Sequence, residues 1–220
     1  MKIMMDFLLI AVAFCTFCYL IYTVIEFTLG FEKIKRLTEQ QPFPTDQLPM
    51  VSIIFSALNE EADIEKAVTA FVNMQYPKFE VIAVNDRSTD ATPAILNRLR
   101  ALYPQLIVEH VTALPSGWFG KNHALHMAAK KARGEWLLFT DADVIMKSDT
   151  LTQAMSYSLE NAVDHLTIFE HHIRKTLGLK ILLLAYYLTY SMDRKPWRIS
   201  QPWTKNAVGH GAFNLVKKSV

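Results

Sequence analysis

The chain has 220 residues, enough for one domain with a full core, and a net charge of +2 with no basic stripe interleaved with aromatics, which argues against a nucleic acid partner. Hydrophobic residues make up 51%, high for a soluble domain, and the surplus is concentrated in two segments. The two cysteines, Cys15 and Cys18, lie in the first of these without a βαβ context, so they read as small packing residues of an apolar helix rather than a redox or metal pair.

Residues 7–29 are almost wholly apolar, with Glu26 as the one charge. About 20 such residues span a bilayer as a helix. The run is too long for a cleaved signal and is followed by bulky Phe31 and Ile34, so an uncleaved anchor over residues 1–31 is expected. Tyr19, Tyr22, Phe27 and Phe31 crowd its carboxyl-terminal end, and Lys33, Lys35 and Arg36 follow, against Lys2 alone before it. That asymmetry places the rest of the chain in the cytoplasm. Residues 32–48 are polar with three prolines between 42 and 49 and read as a linker.

A domain is expected over residues 49–220. Val51-Ser52-Ile53-Ile54-Phe55 is a β-branched run after Pro49, hence a strand. Asn59-Glu60-Glu61 follows, then Ile64, Ala67, Val68 and Phe71 at helical spacing, with Asn59 as the expected cap. Residues 79–84 form a second strand that runs into Asn85-Asp86-Arg87-Ser88-Thr89-Asp90, a polar cluster of the kind that holds a base and ribose at a strand's carboxyl end. A turn plus a helix cap explains it equally well. Thr92-Pro93 is expected to cap the next helix, whose apolar face is Ile95, Leu96, Leu99 and Leu102.

Residues 106–110 form a third strand. Gly120-Lys121 then opens a helix, where backbone N–H groups and an ammonium can meet an anion. It is not a Walker A loop, because the spaced glycines and the Ser/Thr after Lys121 are missing. His123 and His126 sit three apart on this helix and read as surface or packed residues before a metal pair.

The apolar run Trp136 to Phe139 reads as a buried strand and stops at Asp141-Ala142-Asp143. Carboxylates there fit Mg²⁺ or Mn²⁺, hard cations that share their coordination with substrate phosphates. Two solvated turn residues are the plainer alternative. Ser148 is expected to cap a helix through Leu159, and residues 165–169 a further strand. The order β-α-β-α-β-α-β, with polar clusters after three strand ends, implies a parallel sheet with helices on both faces. The second apolar segment, residues 177–198, is short for a span. Its basic, tryptophan-bearing end, Arg194-Lys195-Pro196-Trp197-Arg198, fits a membrane-interface helix; a core helix is the alternative.

Four motifs in order, Val51-Ser52-Ile53-Ile54 with Asn59-Glu60-Glu61, Val84-Asn85-Asp86-Arg87-Ser88-Thr89-Asp90, Gly120-Lys121-Asn122-His123-Ala124-Leu125 and Asp141-Ala142-Asp143, resemble the family 2 glycosyltransferases. The resemblance implies a GT-A (Rossmann-like) fold, a nucleoside-diphosphate sugar donor, usually UDP-linked, and Mg²⁺ or Mn²⁺. It implies that Asn59 and Glu60 line the nucleotide pocket, Asp86 contacts uracil, and Lys121 lies near the base or diphosphate. Asp141 would reach the ribose or the metal and Asp143 would hold the metal. Asn85 departs from the family, which commonly has a first aspartate there. Gly209-His210-Gly211-Ala212-Phe213-Asn214-Leu215 resembles the family's acceptor segment. The acidic pair that supplies the general base does not follow it, so the domain is expected to be incomplete at its carboxyl terminus and the base to lie beyond Val220. A lipid or lipid-linked acceptor is expected if residues 177–198 meet the membrane. A non-catalytic nucleotide-binding scaffold, or an inactive fragment, is the competing reading. A sugar nucleotidyltransferase would need a basic, glycine-rich loop where Ala57-Leu58-Asn59-Glu60 stands.

Overall fold

A computed structural model describes residues 2–37, 43–169, 176–199, 201 and 208–219. The chain divides into two compact units, residues 1–35 with 172–208, and residues 36–171 with 209–220. The second unit is an α/β domain. Its strands are β1 (Val51–Ala57), β2 (Phe79–Asp86), β3 (Leu106–Val111), β4 (Trp136–Phe139), β5 (His165–Thr167) and β6 (Asn214–Lys217). Its helices are α2 (Ile64–Val72), α3 (Thr92–Leu102), α4 (Gly120–Lys131) and α5 (Thr150–Glu160).

The strands form one sheet in the order β3-β2-β1-β4-β6-β5. β1 to β4 are mutually parallel, as helical crossovers require. β6 runs antiparallel to β4, and β5 antiparallel to β6. β6, which carries the last residues of the Gly209–Leu215 motif, has no counterpart in the strands read from sequence.

β1 alternates its side chains between two apolar layers. Ile53 and Phe55 meet Ile64, Val68 and Phe71 of α2, with Leu96, Leu151 and Met155 of α3 and α5 in the same cluster. Ile54 joins Ile82, Val84 and Leu137 under Ala124 and Ala128 of α4. The apolar runs of the central strands therefore reflect burial on both faces.

At the amino-terminal edge of the sheet a buried acid ties three strands together. Glu80, 1% exposed, accepts from Ser52 Oγ at 2.7 Å, from the Arg133 backbone N–H at 2.7 Å and from Arg133 Nε at 2.8 Å. Ser52 Oγ in turn accepts from Gly134 N at 2.9 Å. Burial pushes the Glu80 carboxyl up, but these donors and the guanidinium charge outweigh it and hold it below the usual range.

Three expected helix caps are displaced. α2 begins at Ile64 behind Asp63, because Asn59 adopts a left-handed conformation (φ 58°) that cannot enter a helix. Thr92 lies inside α3 with Ala91 at the cap, and Asp149 rather than Ser148 precedes α5. None of these three helices has a side-chain cap hydrogen bond.

The first unit contains α1 (Lys2–Phe31) and α6 (Leu177–Arg194), followed by a single 3₁₀ turn at Pro196–Arg198. α1 is long and apolar enough over Ile3–Phe31 to cross a membrane, and most of its large apolar side chains there are exposed. α6 is no core helix: of its residues only Ser191 is buried.

Candidate active site

The carboxyl ends of β1, β2 and β4 bring the sequence motifs to one edge of the sheet. The loops after β1 and β2 are laced together. Ser88 Oγ receives the Asn59 N–H at 3.0 Å, and Asn59 Oδ1 accepts from Thr89 N at 2.8 Å. Glu60 N donates to Thr92 Oγ1 at 2.9 Å, and Glu61 N to Asp90 Oδ2 at 3.1 Å. Asn59 and Thr92 thus spend on the neighbouring loop the polar atoms that a cap would have used on a helix. The result is a stiff rim from 59 to 92.

Asp86 is 3% exposed and grips Arg87 through Nε at 2.8 Å and Nη2 at 3.2 Å. Gly120, the first residue of α4, lies against this pair. A Cβ there would come within 2.3 Å of Asp86 Oδ2 and 2.5 Å of Arg87 Nη2. Close approach of α4 to β2 therefore accounts for glycine at this position.

Lys121 of α4 forms an ion pair with Asp141, so the third and fourth motifs meet through opposite charges. Gly211 sits beside the same aspartate: a Cβ would lie 2.9 Å from Asp141 Oδ2. Thr140 Oγ1 donates to Ala212 O at 2.7 Å, binding the 209–213 segment to the end of β4. Asp143 is exposed and makes no ion pair among the described residues. Burial lifts the Glu60 carboxyl above its usual range, and the negative charges of Asp143, Asp63, Asp90 and Asp141 lift it further. That places Glu60 in the field of both aspartates of the Asp-x-Asp pair.

Among the described residues no three His, Cys, Asp or Glu side chains form a preformed metal cage. The donor set still fits Mg²⁺ or Mn²⁺, which are held by one or two carboxylates and complete their coordination with water and substrate phosphates. The negative charges that add to burial in raising Glu60 are an environment a divalent cation would relieve.

Beside Lys121 a cavity of about 470 Å³ opens between α4 and the β4–β6 edge, with Leu125, His126, Phe139, Gly209 and His210 among its lining residues. Trp118 packs at a tilt on His126 (ring centroids 5.0 Å) and meets His123 edge-on at 5.5 Å. The partners Arg87 for Asp86 and Gly211 for Asp141 were not legible in the sequence. Only the glycine spacing of 209–211 marked that segment.

A sequence model of the family described as Glycosyl transferase family 2 matches residues 52–220. The chain belongs to this family. Among sequence relatives, a beta-monoglucosyldiacylglycerol synthase of Synechocystis sp. is 40% identical over 111 residues, which are 50% of this chain and 23% of that one. A poly(ribitol-phosphate) beta-glucosyltransferase of Bacillus spizizenii is 34% identical over 116 residues, 52% of this chain and 18% of that one. Among solved structures, the mannosyltransferase PcManGT of Pyrobaculum calidifontis, in complex with GDP-Man and Mn²⁺, superposes with a TM-score of 0.67 at 25% identity, covering 92% of this chain and 54% of that one. The α/β sheet is that of the GT-A fold. The chain spans about a quarter or less of the length of these two sequence relatives and about half of the mannosyltransferase.

Proposed function

We propose that the protein is a membrane-anchored glycosyltransferase that moves a sugar from a nucleoside-diphosphate donor to a lipid or lipid-linked acceptor at the cytoplasmic face. The observation that carries this reading is the convergence of Glu60, Asp141 and Asp143 with Lys121 at one sheet edge, with the negative field felt at Glu60. In the proposal Asn59 and Glu60 form one wall of the nucleotide pocket and Asp86 its floor. Asp143 and Asp141 hold Mg²⁺ or Mn²⁺, and Lys121 turns from Asp141 toward the diphosphate. The metal supplies charge stabilisation to the departing diphosphate. Lys121 adds a positive charge where negative charge develops.

UDP is the nucleotide implied by the family resemblance; the mannosyltransferase that shares the fold was solved with GDP-Man. The lipid acceptor is supported by the glucosyldiacylglycerol relative and by the span-length helix α1. Leu58, Phe119 and Ile145, all at least half exposed, sit on the loops around the candidate site and give it an apolar border.

Calorimetric titration with UDP and GDP, with and without Mn²⁺, tests the donor site. Metal-dependent binding that falls about tenfold or more in Asp143→Asn is expected. Equal binding by wild type and variant would remove the metal role. Transfer of labelled sugar into a lipid extract tests the reaction; binding without transfer would favour the scaffold reading.

A further inference from the structure

We propose that α6 is a membrane-submerged interfacial helix whose depth is set by a clamp on the last turns of α1. The proposal rests on the reading of α1 as a membrane span. The clamp lies within one compact unit. Tyr22, Glu26 and Gly30 recur every four residues and so occupy one face of α1. Glu26, its side chain 13% exposed, pairs with Lys195 Nζ at 2.9 Å and with Arg198. Arg198 Nη2 also donates to the Tyr22 hydroxyl at 3.2 Å. Trp197, 8% exposed, lies over Gly30, where a Cβ would come within 2.3 Å of the indole, and meets Phe27 edge-on at 5.7 Å. A charge within an apolar helix is costly unless paired, and here the turn after α6 supplies the pair.

The surface of α6 matches lipid rather than a protein partner. At 100° per residue, Ile181, Leu184 and Leu188 fall on one stripe and Leu179, Leu182 and Tyr186 on the roughly opposite one. All six are at least 40% exposed. A second copy or a partner helix covers one stripe, whereas hydrocarbon covers both. Between the stripes Lys180, Tyr187 and Arg194 recur every seven residues as a polar seam suited to headgroups.

The strand pairing on either side of α6 argues against a span. The chain enters α6 after β5 and leaves it before β6, and these two strands are paired, Leu166 opposite Leu215. Both ends of α6 therefore return to one side of the membrane, and a single crossing would separate them. An 18-residue helix, about 27 Å long, lies along the interface instead.

The test uses the full chain with Cys15→Ser and Cys18→Ser, reconstituted in vesicles of phosphatidylcholine and phosphatidylglycerol. Leu182→Cys, Leu184→Cys and, as a reference in α1, Leu9→Cys carry an environment-sensitive fluorophore. A quencher on lipid acyl chains is expected to reduce emission about twofold or more at all three sites, with iodide ineffective at each. Iodide quenching at 182 or 184 while Leu9 stays protected overturns the proposal, as does protection of 184 by cross-linking between copies. Loss of protection at Leu9 would instead defeat the membrane span. Gly30→Leu displaces Trp197 and is expected to halve lipid quenching at 182 and 184 with Leu9 unchanged; undiminished quenching there overturns the clamp.

Discussion

Glu80→Gln isolates the energetics of the sheet's amino-terminal edge. The substitution keeps the shape and removes the charge. The amide oxygen can still accept from Ser52 Oγ and Arg133 N, but the amide nitrogen then faces Arg133 Nε and Nη2, so donors oppose donors where 2.8 Å contacts stood. Two hydrogen bonds to a charged acceptor are worth about 1.5–3 kcal/mol each. The Arg133 side chain is 71% exposed and resolvates, which removes more than half of that and leaves a loss of about 2 kcal/mol. For a domain of about 150 residues this lowers Tm by about 4–8 °C. The pH dependence has a definite sign. The folded carboxyl titrates below its ordinary value, so its contribution is complete above about pH 4.5 and is lost as pH falls through the folded value. Urea unfolding of the detergent-solubilised chain, followed by tryptophan fluorescence at pH 7 and at stepped lower pH, measures both. A wild-type advantage below about 0.5 kcal/mol at pH 7, or one that does not narrow on acidification, would refute the reasoning.

At the opposite edge, Gly120→Ala forces a Cβ against buried Asp86 and its partner Arg87; a stability loss of about 1–3 kcal/mol is expected, together with about tenfold weaker nucleotide binding by calorimetry. Lys121→Met removes the partner of Asp141. Because the pair is half exposed, thermal stability should change by less than about 1 kcal/mol, while diphosphate affinity falls about tenfold. Thr92→Val takes away the acceptor of the Glu60 N–H and should cost about 1 kcal/mol, read as a thermal shift, with no change in transfer to lipid if the loop keeps its shape.

Strands β1, β2 and β4 were legible because burial on both faces leaves uninterrupted apolar runs, and the residues that end those runs carry the polar motifs. β6 was not legible. Its four residues, Asn214 to Lys217, acquire strand character from antiparallel pairing with β4, a long-range contact with no local period. Two of the three misplaced caps share one cause. Asn59 and Thr92 have the chemistry of caps, and sequence cannot distinguish an amide that accepts from its own helix from one that accepts from the loop beside it. The candidate site residues were visible one by one. Their pairing, Asp86 with Arg87 and Lys121 with Asp141, depends on how α4 approaches β2 and β4.

That pairing bears on how a diphosphate would be received. The edge carries Glu60, Asp63, Asp86, Asp90, Asp141 and Asp143 against Lys66, Arg87 and Lys121, and all three cations are already held by aspartates. A diphosphate arriving alone would add negative charge to a surface whose aspartates already add to burial in raising the Glu60 carboxyl. It would also have to take Lys121 from Asp141 without offering that aspartate a replacement. A divalent cation resolves both difficulties, because it neutralises Asp141 and Asp143 while releasing the ammonium. Under the proposed function, binding of nucleotide without metal should therefore be undetectable rather than merely weaker. A nucleotide that binds equally well with and without Mn²⁺ would mean that the acidic edge is not the diphosphate site.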